Sequence, residues 1–379
     1  MSLIYLIAGE ASGDMLGAGL MRALKAECPE LRFAGIGGEG MQREGLTSLF
    51  PYSALSVMGF WEVVPHIPKF LQFLRQAVQD IIAKKPDVIV TIDSPGFNFR
   101  LTAMLKQHPV TASIKRIHYV APSVWAYKPG RARKTAQLFD MLLALLPFEP
   151  PYFEREGLKT IFVGHPVLWE PYKGDGDAFR VRHGIAQDEK MLLLLPGSRP
   201  GEVKRHLPIF LAAAEAMKGF RTVILAASQV KSLIREIVPP EYNVCGIEEK
   251  KDAFAAATLA LSKSGTVTLE LAVAGVPMVV AHTVSPLSAW LIRRMIRVKY
   301  ASLVNIAVNT EVVPEQMQER CNVVEISKAL TVLSTPAAMK QQQEACVHAI
   351  STLRGNNKEN PNLIAAKAVL DILGTQAKP

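Results

Sequence analysis

Leu3-Ile4-Tyr5-Leu6-Ile7-Ala8-Gly9-Glu10-Ala11-Ser12-Gly13-Asp14 opens the chain with an apolar run that ends in a glycine-rich turn. A helical spacing of apolar residues follows over positions 14–27. An unbroken apolar run of this length fits a strand buried on both faces, as a parallel sheet requires. Strand, tight turn and helix in that order form the first unit of a doubly wound α/β domain. The run is short, lacks a basic lead and passes straight into Glu10 and Asp14, so it reads as a core strand and not a secretory signal.

The same rhythm recurs outward from this stretch. Apolar runs at 88–92, 117–120, 141–145 and 160–163 read as further strands, the first preceded by a helical pattern over 69–84. At 164–176 the rhythm stops in GHPVLWEPYKGDG, whose two prolines, three glycines and lack of periodicity read as a linker. Strand-like runs resume at 191–195, 222–226, 243–245, 258–261 and 277–281. The expected fold is α/β, with two doubly wound Rossmann-like domains facing a central cleft. Their expected extents are 1–165 and 177–355, joined by 166–176. In the tail 356–379, a last helix over 361–373 could pack back on the first domain.

A chain of 379 residues, 49% hydrophobic and 20% charged, is long enough for two cores and too apolar for a disordered protein. The net charge of +9 favours anionic partners without choosing among nucleotides, sugar phosphates, nucleic acid and acidic membranes. Four cysteines without CxxC spacing indicate neither a zinc site nor a disulfide framework, which fits a cytoplasmic setting. No run reaches the length of about 18 apolar residues that spans a bilayer, so membrane contact would be peripheral. No nucleic-acid motif is present, and aromatics are only 7% of residues, too few for stacking platforms.

Chemistry is expected where strands end in polar turns. Glu10, Ser12 and Asp14 follow the first strand; two carboxylates there suit sugar hydroxyls better than phosphates, although Ser12 or Asp14 could simply cap the helix. Ile92-Asp93-Ser94-Pro95-Gly96-Phe97-Asn98 puts Asp93 at a strand's carboxyl end, where a general base or an Asx turn before proline is equally compatible. His118, Ser123 and Trp125 leave another strand and offer stacking and hydrogen bonding for a sugar, or else pack in the core. Lys128, Arg131, Arg133 and Lys134 follow, as a phosphate grip or a solvated helix face.

In the second half, Pro196-Gly197-Ser198-Arg199 opens a helix bearing Glu202, Lys204, Arg205 and His206. A guanidinium beside free backbone amides would clamp a diphosphate. Ser264-Gly265-Thr266 begins another helix, with Glu270 about one turn further in for ribose hydroxyls; the alternative is a capping arrangement. The apolar segment 57–64, with Met58, Phe60, Trp61 and Val64, suits acyl chains or a lipid interface, or a buried core.

These segments together resemble the lipid-A-disaccharide synthase family of glycosyltransferases. The matching motifs are GEASGDMLGAGL, VMGFWEV, IDSPGFN, HYVAPSVWAY, LLPFE, GHP, LLPGSRPGEV, SGTVTLE and YASLVN, in consistent order along nearly the whole chain. The resemblance implies the GT-B fold, UDP-2,3-diacylglucosamine as donor and 2,3-diacylglucosamine 1-phosphate as acceptor. It implies a β-1,6 disaccharide 1-phosphate made with inversion, without metal and without a cofactor. Asp93 matches the base, with Glu10 as an acceptor-side contact or alternative base. Gly197, Ser198, Arg199 and the Ser264–Thr266 turn match donor-side motifs, Glu270 would hold ribose, and Asn305 would lie near the cleft. Asn98 belongs to the acceptor side.

Two positions depart from the family pattern: Gly96 stands where many members carry an acid, and Val304 replaces a usual proline. The implied setting is the inner face of a Gram-negative cytoplasmic membrane, with no nucleic-acid partner and a homodimer left open. The competing readings are another UDP-sugar transferase or epimerase on the same fold, and a non-catalytic binding protein.

Overall fold

The computed structural model describes residues 2–52, 55, 67–285, 289 and 298–374. The chain divides into two units, residues 1–169 with 354–379, and residues 170–353. The stretch 166–176 holds a short 3-10 turn, Pro166–Trp169, and Asp175, whose carboxylate caps helix Gly176–Arg182 by accepting from the Ala178 amide.

The first unit is built on strands β1 (Leu3–Ala8), β2 (Arg32–Ile36), β3 (Val88–Ile92), β4 (Lys115–Tyr119), β5 (Met141–Ala144) and β6 (Lys159–Phe162). They form one six-stranded sheet in the order β2-β1-β3-β4-β5-β6, parallel throughout. Every residue of β3 is buried, and so are Ile4 to Ala8 of β1, which explains the unbroken apolar runs. β1 pairs with β2 on one side and with β3 on the other, so the strand order reverses between β1 and β3. Doubly wound sheets carry their ligands at this crevice, beyond the strands' carboxyl ends. The last helix, Pro361–Leu373, packs on helix Ala11–Glu27 within this unit.

The second unit repeats the plan with β7 (Lys190–Leu195), β8 (Phe220–Ala226), β9 (Asn243–Gly246), β10 (Leu259–Lys263), β11 (Met278–His282) and β12 (Glu315–Met317). Its order is β12-β11-β10-β7-β8-β9, again all parallel. The reversal here falls between β7 and β10, where Leu195 pairs with Ser262. A core of Leu192, Leu194, Phe210, Ile224, Leu261 and Val279 lies under the covering helices. Among the described residues no helix is long and apolar enough to cross a membrane.

Candidate active site

In the first unit the switch point is built from the ends of β1 and β3, paired through Ala8 and Ile92. Gly9 ends β1 against the Ser94 side chain; a Cβ at Gly9 would sit 2.5 Å from Ser94 Oγ, so only glycine fits. Glu10 is the extended residue before helix Ala11–Glu27 and is half-buried. Asp93 and Ser94 both adopt left-handed backbone, with φ of 49° and 45°. Left-handed backbone is uncommon outside glycine, and two such residues in succession must be held by their surroundings.

The hold is visible. The Asp93 amide donates to the Tyr119 carbonyl at 2.9 Å, and the Asn98 side-chain amide donates to the carbonyls of Ile92 at 3.2 Å and Asp93 at 2.7 Å. Pro95 begins the next helix at a position that needs no amide donor. The half-buried Asp93 is thereby fixed just beyond the carboxyl end of β3, the strand paired with β1, whose end Glu10 follows.

Several residues expected to meet a sugar also have partners within the fold. Asn98 is fully buried and clamps backbone, because its donors are taken by two strand-end carbonyls. Asp14 does not cap the helix, which begins earlier, at Ala11. Its carboxylate accepts the amides of Gly38, Gly40 and Met41 at 2.7, 2.8 and 3.0 Å, tying this helix to the turn after β2. His118 lies in the core, 1% exposed, with Nδ1 2.8 Å from Thr91 Oγ1 and its ring stacked on Phe139. Burial, aided by Arg131, pushes its pKa down to about 3, so it stays neutral.

Ser123 is exposed and Trp125 half-buried in the loop after β4. Trp125 Nε1 donates to Glu149 Oε1 at 3.2 Å, and its ring meets Phe148 edge-on at 5.3 Å. Glu149 also accepts the Leu146 amide, and burial pushes its carboxyl up to about 7. The sequence reading assigned Glu149 no role; the signal was an acid closing the apolar LLPFE run. Ser12 sits half-buried in the first turn after Glu10. Lys128, Arg133 and Lys134 are exposed, whereas Arg131 is half-buried.

In the second unit, the turn after β7 is shaped by Gly197 at φ 121°, where a Cβ would fall 2.7 Å from Glu202 Oε2. The expectation of free amides is overturned at Ser198 and Arg199. Both donate to Glu202 Oε2, at 3.2 and 3.4 Å, because that carboxylate folds back from the helix's first turn. The side chains of Ser198 and Arg199 face solvent. Across the crevice Lys263 ends β10, and its Nζ lies 3.1 Å from Glu202 Oε1. Lys263 was missed although it directly precedes the Ser264-Gly265-Thr266 turn.

In that turn Ser264 is half-buried, while Gly265 and Thr266 are exposed; Thr266 makes no side-chain cap. Glu270 is 6% exposed and both its oxygens meet Lys250 Nζ, at 2.9 and 3.0 Å. A buried carboxylate needs such a partner. Asn305 has its partners inside the fold as well. It is fully buried, donating to the Val313 carbonyl and Glu315 and accepting the amides of Val312 and Val313, all within 2.9 Å. Val304, at the position of the missing proline, is buried inside helix Leu303–Val308. Met58, Phe60, Trp61 and Val64 lie outside the described residues.

A family model for lipid-A-disaccharide synthetase matches residues 4–369. The lipid-A-disaccharide synthase of Paramagnetospirillum magneticum is 48% identical over 383 residues, covering 98% of this chain and 97% of its own. That of Rhodospirillum centenum is 44% identical over 381 residues, covering 98% and 94%. The solved S. aureus MnaA–UDP co-structure shares the fold, with a TM-score of 0.65 at 13% identity over 100% of both chains.

Proposed function

Because the chain belongs to the lipid-A-disaccharide synthase family, and is thus a glycosyltransferase of lipid A biosynthesis, we propose that it works by one inverting, metal-independent displacement. The donor is UDP-2,3-diacylglucosamine and the acceptor is the 6-hydroxyl of 2,3-diacylglucosamine 1-phosphate. Asp93 takes the proton of that hydroxyl as its oxygen bonds to the donor's anomeric carbon. The bond from that carbon to the diphosphate breaks in the same step, and its electron pair leaves with UDP.

The observation that carries this reading is the Asp93 turn. A carboxylate held at a switch point by a left-handed backbone pair, two backbone clamps and a glycine neighbour has the fixed position that a general base needs. Glu10, on the adjoining strand end, is its acceptor-side companion. Trp125, held through its indole nitrogen, offers a ring face for the acceptor sugar, with Ser123 in the same loop after β4 and Ser12 after β1 as further contacts. On the donor side, Arg199 and the Ser264–Thr266 turn meet the diphosphate, where negative charge grows as the bond breaks.

Both substrates are amphiphiles, so the enzyme works from the inner face of the cytoplasmic membrane. The excess of lysine and arginine favours acidic lipids there, and Met58, Phe60, Trp61 and Val64 accommodate acyl chains. Asp93→Asn tests the base: UDP binding is retained while turnover is lost. Normal turnover by that variant would move the role to Glu10. Arg199→Ala, by contrast, weakens UDP binding as well.

A further inference from the structure

The second unit's switch point carries a cation and an anion whose arrangement goes beyond the donor motifs. Lys263 leaves β10 beside the turn after β7, because Ser262 pairs with Leu195 in the sheet. Its Nζ lies 3.1 Å from Glu202 Oε1, and the two side chains are 22% and 16% exposed, so solvent reaches the pair in part. Glu202 Oε2 in turn takes the amides of Ser198 and Arg199 at 3.2 and 3.4 Å, long for bonds to a charged acceptor.

One carboxylate thus accepts from two turn amides and an ammonium, which is the donor set an anionic phosphate oxygen would use. The neighbours leave the cluster cationic. Arg199 is exposed on the same turn, and Arg205 reaches the Thr283 carbonyl. His206 and His282 stack at 5.1 Å, and burial lowers the pKa of both.

We propose that Lys263 is a ligand of the donor's diphosphate and that Glu202 is its resting counter-ion, released when the diphosphate binds. The inference rests on the donor-site reading above. A diphosphate carries more charge than the carboxylate it replaces, so it competes successfully for a flexible, partly hydrated ammonium. Glu202 meanwhile keeps Lys263 extended toward the crevice in the empty site. The ligand class is a nucleoside diphosphate, and the contact is to its phosphates, not to its nucleoside.

Calorimetric titration of the full chain with UDP and with uridine tests this. Lys263→Met weakens UDP binding by about tenfold or more, with uridine affinity unchanged, and Lys263→Arg restores most of the loss. Glu202→Gln, which still accepts from the turn amides but releases the ammonium, tightens UDP severalfold and leaves uridine unchanged. Wild-type UDP affinity in Lys263→Met overturns the assignment of Lys263. Equal weakening of UDP and uridine in Glu202→Gln makes Glu202 a structural tie and overturns the exchange. If the wild-type chain binds neither ligand, the donor-site reading falls, and this inference with it.

Discussion

The side-chain amide of Asn98 lies 2.7 Å from the carbonyl oxygen of Asp93, five residues back, and closes the left-handed turn that aims the Asp93 side chain. Removing that amide frees a backbone arrangement that is otherwise unfavourable for non-glycine residues. Asn98→Ala therefore lowers kcat by about 100-fold, as expected when a reacting group drifts by about 1 Å, while UDP affinity is retained. Steady-state kinetics beside UDP titration checks this. A kcat within about twofold of wild type would show that the turn holds its shape without Asn98.

Asp14 holds the turn after β2, and its removal is expected to cost stability. Its carboxylate is the acceptor for three backbone amides, of which those of Gly38 and Met41 are bonded in buried surroundings. Asp14→Ala leaves these donors unpaired and costs about 3 kcal/mol, read as a shift in the denaturant midpoint of the first unit's transition. A cost below about 1 kcal/mol would mean that water or a rearranged turn replaces the carboxylate.

Glu149 gives the fold a pH dependence of unusual sign for a carboxylate. Burial raises its pKa from 4.5 to about 7, against the opposing hydrogen bonds from Leu146, Trp125 and Leu145. Between these values the folded chain keeps a proton that the unfolded chain has released. The stability it contributes is full below about pH 4.5, falls as pH rises through about 7, and is level above that. Relative to Glu149→Gln, the wild type loses about 3 kcal/mol across this window. Denaturation midpoints of both proteins at pH 5 and pH 8 measure the difference, and parallel behaviour would refute the assignment.

The strands at the two switch points were legible because parallel strands buried on both faces leave unbroken apolar runs: 88–92 and 191–195 were read as strands, and β3 and β7 lie there. β2 was not legible, since it begins with Arg32 and contains Gly35, nor was the three-residue β12, which begins with Glu315. The polar residues divided differently. Sequence marks Asp14, Asn98, His118 and Asn305 as polar groups near strand ends or turns, but whether each meets solvent or a buried backbone depends on partners supplied by the fold. Asp14 finds its amides 24 to 27 positions away, and Asn305 finds Glu315 across a turn. Lys263 escaped notice for the converse reason, because its importance lies in Glu202, brought beside it only by the pairing of β7 with β10.

The most direct test of the central claim is an incubation of the purified chain with UDP-2,3-diacylglucosamine and 2,3-diacylglucosamine 1-phosphate in excess chelator, followed by mass spectrometry and proton NMR of the product. The account predicts a disaccharide 1-phosphate with a β anomeric linkage, formed together with UDP, dependent on both substrates and absent with Asp93→Asn. An α-linked product, or activity that disappears with chelator and returns with a divalent metal, would contradict it.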